Sequence, residues 1–286
     1  MKKIIFIGNK NTAYYCLKYL IERSKEKQNE FSLESVITPL SDIKPQWYKS
    51  VYHLSKKYKI PVHTPKNIND PKFIKKIQSY HASMAFCIFY PTIFKKPFID
   101  MFPERIINLH FAPLPAYRGC NPIPHAIIDE QKKHGVTLHY IDSKIDAGPI
   151  ISQELFPIKK DDTGLDVYKK CEVAGLDLFI KNFDKILKSE IKITIQDETK
   201  AVHHYRKELL TNKEIQLTWS KKKIYNFARA LEFPPFEPAY IEYNGKKIFL
   251  TTKPDKKYTV SHLEQLFNQY YKNNGGKELH HANTTC

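Results

Sequence analysis

Hydrophobic and polar positions over roughly the first 190 residues switch repeatedly between two periods. KKIIFIG at the start is a short apolar run, and behind it Ala13, Cys16, Leu17, Leu20 and Ile21 fall at i, i+3, i+4, i+7 and i+8. A buried-type strand, a tight turn and an amphipathic helix open an α/β unit. LESVITP then predicts a second strand, SVYHLSKKYK a helix, PVHTP a short edge strand, DPKFIKKIQSY a helix and SMAFCIFY a buried strand. Strands alternating with helices predict a mostly parallel sheet covered on both faces. RIINLH supplies a further strand, and GVTLHYID with PIISQELFPI predicts an antiparallel pair at the sheet's edge. TGLD, beginning at Thr163, fits a T-x-x-D helix start, with Tyr168, Cys171, Gly175, Leu178, Asn182 and Ile186 along one side of the long helix that follows.

Near residue 200 the pattern changes to short apolar stretches and turns. PAYIEYNGKKIFL carries Asn-Gly, the strongest short hairpin signal. The expected organisation is a first domain over 1–200, a small β-rich domain over 201–272, and a polar, turn-rich tail over 273–286 expected to be disordered. The hairpin alternates Ala239, Ile241 and Tyr243 against Tyr240, Glu242 and Asn244. A two-stranded ribbon is marginal unless it packs on something, so an apolar face left over predicts two-fold pairing of chains, the alternative being a hairpin folded back on the first domain.

The 286 residues, 42% of them hydrophobic and 13% aromatic, suffice for a large core, and no apolar run approaches the length of a membrane span. A cytoplasmic protein is expected. Five scattered cysteines without C-x-x-C spacing give no sign of a disulfide frame or a zinc site, and no metal is assigned. The net charge of +16 raises nucleic-acid binding, but only five of the 46 basic residues are arginine. A lysine excess spread over the chain reads as solvated faces and biased codon usage, and an anionic small substrate fits it equally.

Candidate chemistry gathers in two places. The turn GNKNTA after the first strand lacks the glycines of a dinucleotide fingerprint. In INLHFAPLPAYRGCNP, Asn108 and His110 stand at i and i+2, on one face of a strand and near its C-terminal end, where open α/β sheets bind ligands. The proline-rich loop that follows, with Arg118 as a fixed cation and Gly119 as a joint, reads as the wall of a pocket. Asp146 in SKIDAGPII lies at the same edge, although an Asp before Ala-Gly is also a common turn former. Asn can donate to a developing oxyanion, His can take a proton near neutrality, and Asp can orient that imidazole: a set suited to acyl transfer.

NLHFAPLPAYRGCNPIPHAI, GVTLHYIDSKIDAGPIIS and the spacing between them resemble the formyltransferases that use 10-formyltetrahydrofolate, a family that includes methionyl-tRNA formyltransferase, glycinamide ribonucleotide transformylase and the sugar N-formyltransferases. The resemblance covers roughly residues 1–190 and implies a Rossmann-like formyltransferase fold with Asn108, His110 and Asp146 as the catalytic trio. Where the family has Ser-Leu-Leu-Pro this chain has Ala112-Pro113-Leu114-Pro115, so no role of that serine carries over. It implies 10-formyltetrahydrofolate as formyl donor, with the pterin near Phe89, Tyr90, Asp142 and Ile145. Of the family's acceptors, the chain's short C-terminal part fits best a nucleotide-linked amino sugar, with dTDP-4-amino-4,6-dideoxyglucose for surface polysaccharide as the leading case. Met-tRNA is the alternative, and an RNA-binding protein without catalysis the alternative of another class. Arg118, Trp219, Phe233 and Phe236 are the candidate acceptor contacts, an aromatic stack on a base contributing about 1–3 kcal/mol.

Overall fold

The computed structural model describes residues 1–26, 30–210, 213–253, 264, 265 and 267–269; the expected tail over 273–286 lies outside them. The elements run β1 (Lys2–Gly8), α1 (Lys10–Glu26), β2 (Phe31–Ile37), α2 (Val51–Lys57), β3 (Val62–His63), α3 (Pro71–Gln78), β4 (Met84–Ile88), α4 (Lys96–Ile99) and β5 (Ile106–His110). There follow β6 (Arg118–Gly119), α5 (Pro122–Ile128), β7 (Lys133–Tyr140), β8 (Ile150–Pro157), α6 (Gly164–Leu187), β9 (His203–His204), α7 (Lys207–Leu210), α8 (Lys221–Leu231), β10 (Ala239–Tyr243) and β11 (Lys246–Leu250). Seven strands form one sheet in the order β3-β2-β1-β4-β5-β7-β8. Neighbours from β3 to β5 are parallel, and β7 and β8 run antiparallel at the edge, as the pattern predicts.

Near-continuous apolar strands are what a sheet covered on both faces requires. Ile4 and Phe6 of β1 and Met84, Phe86 and Ile88 of β4 enter one core, while Ile5, Ile7, Ala85 and Cys87 enter the other. The first is closed by α1 and α6, where Tyr19, Phe86, Phe179 and Phe183 meet largely edge to face at 5.1–6.2 Å. Fully burying each such ring contributes about 1.5–3 kcal/mol. Thr163 and Asp166 form the reciprocal capping box at the start of α6, as TGLD predicts. Gly175 in its middle leaves space for Leu109 and Phe111, which a Cβ would meet at 3.1 Å, so the helix lies close over β5.

The C-terminal part departs from the β-rich expectation in its helices, the short α7 and the longer α8. Lys221–Leu231 is a helix, N-capped by Ser220, whose buried side carries Phe227, Ala228 and Ala230. Arg229 in it donates to the Asp162 carbonyl at 2.6 Å, which ties α8 to the start of α6. The hairpin is present, with Ile241 opposite Ile248 and Ala239 opposite Leu250. Ala239, Ile241 and Leu250 pack with Ile215, Trp219 and Phe227 in a small third core, while Tyr243, Ile248 and Phe249 remain exposed. Phe267 is fully buried in the main core, its ring 5.6 Å from Tyr15 of α1, so part of the stretch expected to form a separate domain completes the first one.

Candidate active site

The strand register builds the site. Asn108 of β5 pairs with His139 of β7, and His110 pairs with Thr137, which puts all four side chains on one face at the C-terminal end of β5. Asn108 Nδ2 lies 3.0 Å from His139 Nε2, and His139 Nδ1 lies 2.9 Å from the Tyr140 carbonyl. A carbonyl only accepts, so the proton of His139 sits on Nδ1 and its Nε2 accepts from the Asn108 amide. That contact fixes which way the carboxamide faces and leaves its second N–H for another acceptor. His110 Nε2 lies 3.0 Å from the Tyr117 carbonyl, so in the neutral ring Nδ1 carries the lone pair. Thr137 donates to the Ala112 carbonyl at 2.7 Å and accepts from Leu114 N and Gln153, pinning the proline loop beside the histidine.

Asp146 joins them from the loop after β7. Its Oδ2 is 3.7 Å from His110 Nδ1 and its Oδ1 is 3.7 Å from His139 Nε2, too far for a direct hydrogen bond but close enough to stabilise a proton taken up by either ring. The direct donor to Asp146 is the Gly119 backbone N–H, at 2.8 Å. Gly119 has φ +90°, and a Cβ there would stand 2.3 Å from the His204 carbonyl, so the β6–β9 pairing that aims this N–H requires glycine. Tyr117, Asn121 and Asp146 also hold positive φ, a concentration of left-handed backbone in loops held by many contacts.

Arg118 is not the cation facing a pocket that the sequence suggested. It is 1% exposed, and its guanidinium donates to Gln196 and Glu198 at 2.8–3.1 Å. Gln196 in turn donates to the Asp146 and Gly148 carbonyls at 2.8 and 2.7 Å. The fork of Arg118 therefore ties the proline loop, through Gln196, to the loop that carries Asp146. Burial removes it from any ligand in this arrangement.

The electrostatics follow from this crowding. Burial pushes His139 down to about 4, against the attraction of Asp146, so the ring is neutral at pH 7. Burial opposes charge on Asp146, but His110 and His139, the Gly119 N–H and Arg118 outweigh it and hold the carboxyl below its ordinary range. An oriented amide donor, an imidazole with a free lone pair and a fixed carboxylate thus converge on one point of the sheet edge. Such a set can move a proton from an attacking nucleophile and stabilise oxygen-centred charge.

An aromatic cluster extends from this point. Phe111, next to His110, meets Phe89 at 4.6 Å and Tyr168 at 5.6 Å; Tyr168 meets Phe233 at 5.0 Å, and Trp47 lies 5.8 Å from both Phe233 and Phe236. Lys10 Nζ stands 4.7 Å from the Phe89 ring and 5.7 Å from Trp47. Trp47 also lines a cavity of about 540 Å³ with Leu40, Ser41, Ile43, Lys44 and Gln46. Phe89 and Tyr90 part company after β4: Phe89 turns to the cluster, while Tyr90 packs with Phe94 and Ile141 in the opposite core. Asp142 and Ile145 are exposed. Trp219 does not join Phe233 and Phe236; it stands edge-on to Phe227 at 5.1 Å in the third core, which corrects the grouping of these rings.

His139, Gln196 and Trp47 are the residues that sequence reasoning missed. Alternation in VTLHY does set Thr137 and His139 on one face, but only the antiparallel register reveals Asn108 opposite. Gln196 carries no local signal, since its partners lie about fifty and eighty positions away.

A formyl transferase family model matches residues 2–182. The chain is 30% identical over 266 residues to methionyl-tRNA formyltransferase from Fusobacterium nucleatum, covering 90% of this chain and 81% of that protein. Among solved structures it is similar to WlaRD, a sugar 3N-formyl transferase crystallised in the presence of dTDP and 5-N-formyl-THF, at 27% identity and a TM-score of 0.70, covering 87% of this chain and 85% of that one. It is equally similar to the N-formyltransferase from Helicobacter canadensis in complex with folinic acid and dTDP-3-aminofucose, at 27% identity and a TM-score of 0.70, covering 87% and 86%. With the Asn108, His110 and Asp146 constellation at the end of a mostly parallel sheet, these likenesses make the chain a member of the formyl transferase family and a formyl-transfer enzyme.

Proposed function

We propose that the protein transfers a formyl group from 10-formyltetrahydrofolate to the amine of a dTDP-linked amino-dideoxyhexose, a step in surface polysaccharide synthesis. The observation that carries this reading is the C-terminal part: among the described residues it holds one eight-residue-or-longer helix and a two-stranded sheet, a modest appendage, on a chain similar over 87% of its length to two sugar N-formyltransferases. Both of those neighbours concern 3-amino sugars, so a dTDP-3-amino sugar goes ahead of the 4-amino-4,6-dideoxyglucose that sequence reasoning favoured. The open end of the aromatic cluster, Trp47, Phe233 and Phe236, offers rings to a flat base, and Lys10 and Lys44 supply positive charge for a diphosphate. On the donor side, Tyr90 and Ile141 share one core, so the segments after β4 and β7 rise together. Exposed Ile93 and Ile145 there offer apolar contact to a pterin, beside Phe89 and Asp142.

In the mechanism, the folate supplies a formyl carbon activated by its nitrogen. Asn108, oriented by His139, donates its remaining amide N–H to the formyl oxygen as charge develops there. His110 takes the proton of the attacking amine on Nδ1, and Asp146, 3.7 Å away, stabilises the imidazolium. The same proton returns to the folate nitrogen as its bond to the formyl carbon breaks. Arg118 and Gln196 position Asp146 and do not touch the reactants. On this reading, two copies pair through the exposed Tyr243, Ile248 and Phe249 of the hairpin.

Met-tRNA is the second acceptor to test, because 30% identity to a methionyl-tRNA formyltransferase extends over 90% of the chain. Purified protein assayed with 10-formyltetrahydrofolate against dTDP-3-amino and dTDP-4-amino sugars, and against Met-tRNA, decides. Efficient formylation of Met-tRNA alone would overturn the sugar reading while leaving formyl transfer intact.

A further inference from the structure

Behind the proline loop, three side chains from two stretches of the chain turn toward one another: His125 of α5, and His204 of β9 with Glu208 of α7. His204 Nδ1 lies 3.1 Å and His125 Nε2 3.5 Å from the same oxygen, Glu208 Oε2, and the three donor atoms fall within 4.8 Å of one another. Donors bound to one divalent transition metal at about 2.0–2.2 Å stand roughly this far apart. His125 Nε2, the atom that faces Glu208, is buried with no hydrogen-bond partner among the described residues, a cost that a bound cation would remove. We propose that His125, His204 and Glu208 form a binding site for a borderline divalent cation of the zinc class, outside the formyl-transfer centre.

The donor set decides the class. Two imidazoles and one carboxylate suit zinc and its transition-metal neighbours, whereas magnesium and calcium favour oxygen ligands alone. One adjustment is needed. The two imidazoles stack at 3.7 Å with their planes 19° apart, and lone pairs lying in nearly parallel planes do not meet at one ion. Binding therefore requires the His125 ring to turn about its soft terminal torsion while His204 keeps its stack on Tyr117. The position gives the site a consequence: His204 stacks on Tyr117 at 5.4 Å, Tyr117 supplies the carbonyl that holds His110, and β9 pairs with the strand bearing Gly119. A cation here would staple α5 and α7 to the strand that backs the catalytic loop.

The test is zinc titration of the EDTA-treated full chain by calorimetry, with cobalt absorption as a spectroscopic report of imidazole ligation. One equivalent should bind, His125→Gln and His204→Gln should each weaken it by about 100-fold, and Glu208→Gln, at an exposed position that the fold tolerates, by about tenfold. The sequence also carries His280, His281 and Cys286, so a variant with all three replaced by alanine is run in parallel and should keep the site. Zinc binding lost in that variant, or unchanged by His204→Gln and Glu208→Gln, would overturn the proposal. Binding is read without any acceptor, so the result does not depend on which amine is formylated.

Discussion

The catalytic corner and the aromatic cluster are adjacent, yet they are held by different forces. At the corner, each functional group is fixed by directional polar contacts, most of them from distant segments: Asn108 by His139, His110 by the Tyr117 carbonyl, Asp146 by Gly119, and the last two loops by Arg118 and Gln196. The cluster from Phe89 to Phe236 is held by ring packing, with Phe236 half exposed. Directional contacts permit one geometry, which chemistry at a single carbon needs. Packed rings tolerate a change of partner, so if the acceptor docks there, as proposed, its identity can vary while the reaction stays the same.

The strongest way to break this comparison is to remove the chemistry. Asn108→Ala, His110→Asn and Asp146→Asn should each lower kcat by at least about 10²-fold with little change in Tm, and double variants should lose much less than the product of the singles. Single-turnover formyl transfer checks this. Near-normal turnover in the His110 variant would dismantle the proposed proton route.

Acid should also act on the corner first. His139 and His134 are buried histidines held at about 4, burial being the main cause for each. Their folded pKa values lie below the unfolded value, so the unfolded chain binds more protons between about pH 6.5 and 4, and stability falls as pH drops through that window. His134 contributes on the order of 3 kcal/mol of loss by the lower end, and His139 adds to it in the same direction. Denaturant midpoints measured from pH 7 to 4 should show this slope, and His134→Asn should reduce it. A flat profile would mean these rings are not neutral in the folded protein.

Arg118 and Gln196 sharpen the contrast between touching and positioning. Gln196→Ala strips two donors from the Asp146 loop and leaves the Arg118 fork short of an acceptor. The expected result is a loss of about 1–3 kcal/mol in stability, a drop of roughly tenfold in kcat, and an unchanged KM for the acceptor. A selective rise in KM would return Arg118 to the acceptor site.

How much of this could be read from the sequence depends on whether the cause is local. Strand and helix periods, the capping box at Thr163 and the Asn-Gly hairpin are local, and each emerges where the pattern puts it. The helix at Lys221–Leu231 is also local in cause, since Ile224, Phe227, Ala228 and Leu231 recur at helical spacing, but the stretch is short and flanked by strand signals that mask it. Arg118 was legible as a cation and illegible as a clamp, because the partners that bury it stand about eighty residues away. Asn108 and His110 needed only strand alternation, whereas His139 needed the register of an antiparallel pair.

The smallest expected effects separate the two groups of rings. Phe236 lies beside Trp47 at the exposed end of the cluster, and Trp219 lies against Phe227 in the third core. If the cluster receives the base of the acceptor, Phe236→Ala removes one ring from that surface at little cost to the fold. The KM for a dTDP-sugar should then rise about five- to tenfold with kcat held, in line with the lower part of the 1–3 kcal/mol seen for base stacking. Trp219→Ala should do the opposite: it opens a cavity under the hairpin, lowering Tm, and leaves KM where it was. Steady-state kinetics beside thermal melts of the two variants tell them apart. An unchanged KM in Phe236→Ala together with a raised one in Trp219→Ala would move the acceptor's base from the Trp47 cluster to the hairpin side of α8.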